Sequence, residues 1–380
     1  MVKTGIDLID ENLSLFKNKR VGLVTNPTGV NSNLESTVDV MKRKTNLVAL
    51  FAPEHGVRGD LQAGVHLDTY VDKATDITVY SLYGKHRHPS KEMMDLIDIM
   101  VFDIQGVGAR FYTYLYTMAY VMIACKENGK KMVVLDRPNP VNADMVEGDI
   151  LDINYRSFVG YYPIPQRFGL TVGELAKLFN EEFGIKCDLT VIKMSGYERK
   201  MDYRDSGLIW IMPSPNIPYV ETPYYFLTTC YFEGTNLSEG RGTAKPFHLV
   251  GSPYLDNVKV VKILNESGLE GVVFRTAYFT PNFSKHQGVL CNGIEVIITD
   301  KNIFKPVKTG YTMMDVIRKV HPKELEFIPP YTEGGHPFLD LLTGNKTLRE
   351  GKVSLENMLK KMEEDTEKFM KIKRRYHLYD

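Results

Sequence analysis

The chain has 380 residues, 43% of them hydrophobic and 25% charged, with 47 Lys plus Arg against 47 Asp plus Glu. A polypeptide of this size and make-up buries a sizeable core and is expected to form two lobes. Its balanced charge provides no general field to gather nucleic acid or an anionic membrane, so a polyanion partner of either kind is disfavoured, short of a local basic patch.

The N-terminal stretch MVKTGIDLIDENL carries charges throughout and has no apolar leader core. A cytoplasmic protein is expected on that reading, with a secreted or envelope location if a signal peptide was trimmed. Four apolar runs follow: RVGLVTNP at 20–27, NLVALFAPEHG at 46–56, IMVFDIQG at 99–106 and KMVVLDRPNP at 131–140, with ITVYSLYG at 77–84 as a fifth. Continuous rather than alternating runs predict strands covered on both faces, as in a parallel sheet. Helical stretches at 34–44, 90–97 and 112–129 lie between them. The fold class expected is therefore α/β, a Rossmann-like doubly wound, mostly parallel sheet with a second α/β C-terminal lobe. The irregular text around 150–170 places the boundary between units 1–158 and 159–380. Thr171 and Glu174 then form a capping box ahead of a helix, DLTVIKMS reads as a strand, and GVVFRTAYFTP and GIEVIITD read as two more. Near the C-terminus, Leu355, Met358, Leu359, Met362 and Phe369 make one helical stripe that reads as core packing, and KIKRR at 371–375 reads as a solvated helix end.

Polar residues cluster where the strands end, which in such sheets is where ligands bind. Asn26 follows the first strand, Glu54 and His55 the second, Asp103 and Gln105 lie on the third, and Asp136, Arg137 and Asn139 on the fourth. Neither GxGxxG nor GxxxxGK[ST] occurs, which argues against a nucleotide enzyme, and GxSxG and HExxH are absent as well. Cys125, Cys187, Cys230 and Cys291 are far apart in apolar surroundings and read as buried thiols rather than metal ligands or disulfides. What remains are carboxylates among Arg, Asn and Tyr, the equipment of a carbohydrate site. Glu54 leaves an apolar strand partly desolvated, which suits a glycosidase general acid, although it equally suits a turn cap. A second dense stretch, FEGTNLSEGRGTAKPF at 232–247, spaces Glu233, Asn236, Glu239 and Arg241 with glycines that let a ligand approach. Asn216 in MPSPNIP and Arg110, Tyr112 and Tyr114 in RFYTYLYT complete the sugar-facing candidates.

FAPEHGVRG, FDIQGVGARFYTY, LDRPNP, VEGDILD, GLTVGELA, PSPNIP and FEGTNLSEGRGTAKPF, in that order, resemble the motif series of the NamZ-type exo-β-N-acetylmuramidases, formerly a domain-of-unknown-function family, DUF1343. The resemblance implies a cofactor-free hydrolase without a metal that releases terminal, non-reducing N-acetylmuramic acid from muropeptides or related amino-sugar glycosides. It implies that Glu54 is the catalytic acid and that Arg58, Arg110, Asn139, Asn216, Asn236, Glu239 and Arg241 line the cleft. Two departures stand out: Gln105-Gly106-Val107-Gly108 where the family reads QDVG, and Arg167-Phe168-Gly169 where it tends to RHG. The missing aspartate makes Asp103 and Glu239 further candidates for a catalytic carboxylate. It also opens the alternative of a muropeptide-binding protein that keeps the cleft without turnover. Muramic acid carries a lactyl carboxylate, for which Arg241 or Arg110 is the expected cation.

Overall fold

The computed structural model describes residues 1–54, 56–59, 69–84 and 87–380. His55, one of the expected binding residues, lies outside them. Ten strands are present among the described residues: β1 (Arg20–Thr25), β2 (Asn46–Ala52), β3 (Tyr70–Asp72), β4 (Ile77–Ser81), β5 (Ile99–Asp103), β6 (Lys131–Leu135), β7 (Asp188–Ile192), β8 (Leu249–Ser252), β9 (Val272–Phe279) and β10 (Cys291–Ile298).

The apolar runs of β1, β2, β5 and β6 build the centre of a seven-stranded sheet in the order β3-β4-β2-β1-β5-β6-β7. All pairings are parallel except that of the short edge strand β3 with β4. Every residue of β5 is buried, as expected of a strand covered on both faces. The chain moves outward from β1 through β2 and β4, then returns to the other side of β1 for β5, β6 and β7. The reversal between β1 and β5 opens a crevice at the carboxyl ends of the strands. The helix Tyr114–Glu127 has ten buried side chains and covers one face. Thr171 and Glu174 form the expected capping box of the helix Val172–Glu182.

The division expected at 158/159 cuts through this unit. β7 lies beyond residue 158 yet pairs with β6 over five positions, from Lys131 with Asp188 to Leu135 with Ile192. The irregular 150–170 stretch is a long connection on the first lobe rather than a hinge after it. The second lobe begins near the helix Thr222–Thr229 and holds an antiparallel sheet ordered β8-β10-β9, backed by the helices Asn257–Asn265 and Pro306–Val320. Apolar packing is continuous between the lobes: Phe111 of the first stands 5.1 Å from Phe226 and 5.6 Å from Tyr231 of the second, ring centre to ring centre.

The helix Leu355–Lys373 buries Met358, Met362 and Phe369, as its stripe implies. KIKRR departs from expectation at one position. Lys373 is fully buried, and its ammonium donates to the carbonyls of Ala143, Asp144 and Gly169 at 2.7, 3.1 and 2.6 Å. Burial pushes this amine down to about 7. Just beyond, the Leu378 amide donates to Glu174 at 2.8 Å and the Tyr379 hydroxyl to Asp136 at 2.6 Å, so the end of the chain is sewn into the first sheet. The four cysteines are free and buried.

His248 in the second lobe is stacked 3.6 Å from the Tyr225 ring, and burial, helped by the Lys245 charge and opposed more weakly by Glu221 and Glu295, pushes its imidazole down to about 4. An unfolded histidine binds its proton near 6.5. Between about 6.5 and 4 the unfolded chain therefore holds a proton that the folded one refuses, and stability falls as the pH drops through that window, by on the order of 3 kcal/mol for this residue. Thermal unfolding measured from pH 7 to 4.5 is expected to show a shallower acid-side decline in His248→Asn than in the parent protein.

Candidate active site

The crevice at the strand ends is closed over by the second lobe to form a cleft of about 470 Å³. Glu54 reaches it from the tip of β2, where Pro53 stops the strand. Its backbone carbonyl is fixed by the Tyr114 hydroxyl, which is shared between Glu54 at 3.3 Å and Pro213 at 3.1 Å. Tyr83, just past β4, hydrogen-bonds the Glu54 carboxylate through its phenol. Burial and the neighbouring Glu54 charge push that phenol up to about 12, so Tyr83 stays protonated and donates. Adjacent strands thus supply both the carboxyl and the hydroxyl that positions it. Tyr112, in edge contact with Tyr114 at 4.9 Å, is raised mainly by burial and offers a second phenol to the cleft wall.

The facing wall comes from the 3₁₀ turn Cys230–Gly234 and the loop that follows. Gly240 and Gly242, with φ of +80° and +81°, reverse the backbone on either side of Arg241. A side chain at Gly242 would also meet the Phe283 carbonyl at 2.4 Å. Arg241 donates through Nε and Nη2 to one Glu233 oxygen at 3.1 and 2.5 Å and lies 3.3 Å from Glu239. Burial works against its charge, but the two glutamates outweigh it and raise its pKa. Glu233 itself is raised by burial, with Arg241 opposing and the like charge of Glu239 adding to the rise. Asn216 sits between this cleft and an adjoining hollow of about 630 Å³, which shares Pro215, Asn216 and Arg241 with it and is flanked by Tyr219 and Phe283.

Of the expected residues, the cleft brings together Glu54, Tyr112, Tyr114, Asn216, Glu233 and Arg241. Several others serve the fold. Asp103 is fully buried at the end of β5, where its oxygens accept from Arg137 at 2.5 and 2.8 Å and from the Thr37 hydroxyl, so it is a structural anion and not a catalytic one facing the cleft. Glu239 is 1% exposed behind Arg241 and Lys285, and Glu233 is the acidic residue of that loop that lines the cleft. Arg110 is buried and donates to the carbonyls of Asp149, Ile164 and Leu342 at 2.8–3.0 Å, joining the lobes. Arg58 pairs with Asp72 at 3.0 Å and Asp39 at 3.5 Å. Gln105 donates to Gly106 and Pro138, and Asn139 to Leu170. Asn236 bridges Glu324, Glu326 and Tyr254 outside the cleft. Asn26 is buried, accepts from Thr28, and adjoins the Tyr114 hydroxyl. Tyr83, Arg87 and Phe158 line the cleft without having been singled out. For Tyr83 the signal was present, since it follows an expected strand at the same carboxyl edge as Glu54.

Two α/β lobes close over a groove in which carboxyls, phenols and an ion-paired arginine converge, the equipment of a carbohydrate site, and the relatives of the chain make it an enzyme of the glycosidase class. The chain belongs to the exo-β-N-acetylmuramidase NamZ family, whose N-terminal model matches residues 21–221 and whose C-terminal model matches residues 224–379. It is 48% identical over 384 residues to the peptidoglycan β-N-acetylmuramidase NamZ of Bacillus subtilis (strain 168), spanning 100% of this chain and 91% of that protein. Crystal structures of two DUF1343 family proteins from Bacteroides fragilis NCTC 9343 share the fold over 100% of this chain and 99% of each of theirs, with TM-scores of 0.92 at 36% identity and 0.80 at 32%. The family models meet between residues 221 and 224, after β7, in agreement with the division between the lobes. The enzyme's substrate is a small-molecule glycoside.

Proposed function

We propose that Glu54 is the general acid with which this glycosidase releases terminal, non-reducing N-acetylmuramic acid from peptidoglycan fragments. The observation that carries the assignment is the placement of Glu54 at the tip of β2, on the cleft, with its carboxyl held by the protonated Tyr83. The acid donates its proton to the glycosidic oxygen as the bond to the anomeric carbon breaks, and the oxocarbenium-like centre is met from the other side by a carboxylate or by the substrate's own acetamido group. Glu233 is the carboxyl on the facing wall. The hollow beyond Asn216 and Arg241 receives the rest of the fragment.

A reading with the two carboxyls exchanged is favoured by the upward shift of Glu233. Against it, protonating Glu233 would break its contacts to Arg241 inside the protein and leave that buried cation dependent on the more distant Glu239, at 3.3 Å. Incubation with defined muropeptides and analysis for free N-acetylmuramic acid tests the activity. Release of that sugar one residue at a time from the non-reducing end is the expected result, whereas tight binding without release would replace the enzyme with a muropeptide-binding protein.

A further inference from the structure

An enzyme selective for muramic acid needs a cation for the lactyl carboxylate, and neither expected arginine is available for it. Arg110 is sealed between the lobes by three carbonyls. Arg241 lines the cleft, but Glu233 and Glu239 already neutralise it. Lys285, the other cation of that wall, is taken up by Glu239 and by the carbonyls of Phe232, Thr235 and Leu237 at 2.6–2.9 Å.

Arg87 differs from all of these. It lines the same cleft, is exposed, and among the described residues forms no ion pair. Its guanidinium carbon lies 4.1 Å from the centroid of the Phe158 ring, also on the cleft wall. An aromatic face supports a guanidinium without consuming its N–H donors, so the fork remains free to grip a planar anion with two parallel hydrogen bonds. Arg87 is also within electrostatic reach of Tyr83, the residue that holds Glu54.

We propose that Arg87, backed by Phe158, is the carboxylate-binding site of the cleft and the residue that selects the lactyl ether of the terminal sugar. The inference rests on the glycosidase reading above. The lactyl group is carried two ring carbons from the anomeric centre, so the carboxylate and the scissile oxygen lie within one sugar ring of each other. A cation and an acid on one side of the cleft meet that requirement. Phe158 belongs to the long 150–170 connection and Arg87 follows β4, so the site joins two segments of the first lobe.

The test compares a chromogenic β-N-acetylmuramide with the same glycoside whose lactyl carboxylate has been converted to the amide. Arg87→Ala is expected to lower kcat/KM for the carboxylate substrate about tenfold or more, as befits a lost charge-assisted contact, and to leave the amide substrate unchanged. Arg87→Lys should restore part of the loss, and the salt dependence of KM expected of the parent should be weaker in Arg87→Ala. Equal effects on both substrates, or on neither, would overturn the assignment. Should the parent turn over neither glycoside, the glycosidase reading fails instead. Calorimetric affinities of parent and Arg87→Ala for N-acetylmuramic acid and its amide then decide the Arg87 question alone, with a loss confined to the acid supporting it and no such loss refuting it.

Discussion

Glu54→Gln is expected to reduce turnover of natural muropeptides by about 10²–10⁴-fold, the range contributed by a positioned general acid, with little change in substrate affinity or melting temperature. The substitution keeps the shape of the side chain, so the Tyr114 contact to the backbone carbonyl survives and the Tyr83 phenol still finds an oxygen. What disappears is the transferable proton. The effect should therefore depend on the leaving group. A glycoside with a strongly acidic phenol needs no protonation to depart, and Glu54→Gln should hydrolyse it at a rate far closer to that of the parent. Glu233→Gln should be slow with both kinds of substrate. The reverse pattern, with Glu233→Gln rescued by the activated phenol and Glu54→Gln not, would exchange the roles of the two carboxyls.

Arg137→Met should cost about 3–5 kcal/mol of stability, because it leaves Asp103 as an uncompensated charge in the interior. Asp103 is 0% exposed and Arg137 is 3% exposed, so water cannot replace the lost partner. In the parent the arginine also donates to the Val30 carbonyl at 2.8 Å, so the substitution loosens the turn after β1 as well. A fall in melting temperature of roughly 5–10 °C is the expected reading. Asp103→Leu combined with Arg137→Met should recover much of it, since a matched apolar pair avoids both desolvation costs. Asp103→Asn should likewise lose stability while its folded fraction keeps kcat close to that of the parent. A thousandfold fall in kcat at unchanged stability would instead return Asp103 to the chemistry.

The parallel sheet was legible because its strands are apolar on both faces, and periodicity reports burial directly. That Glu54, the proposed acid, lines the cleft was legible for a related reason: a carboxyl at the end of such a strand points toward the crevice. The same logic misplaced Asp103 and Arg110. A charged residue beside a buried strand looks identical in sequence whether it faces a ligand or an internal counterpart, and the counterparts here, Arg137 and the Leu342 carbonyl, lie 34 and 232 residues away. The choice between Glu239 and Glu233 turned on a glycine-rich loop, where left-handed residues at 240 and 242 set directions that no periodicity encodes. Arg87 was passed over because its partner Phe158 sits in an irregular connection. The boundary at 158/159 followed from reading that irregularity as a hinge, when the strand that completes the sheet was still to come.

The stitching of Lys373, Leu378 and Tyr379 into the first lobe has a bearing on biosynthesis. A nascent chain could assemble β1 through β7 well before the second lobe leaves the ribosome, yet the carbonyls of Ala143 and Gly169 and the carboxylates of Asp136 and Glu174 would lack these donors until residues 373–379 had been made. The half of the molecule translated first is thus the half whose buried polar groups are satisfied last.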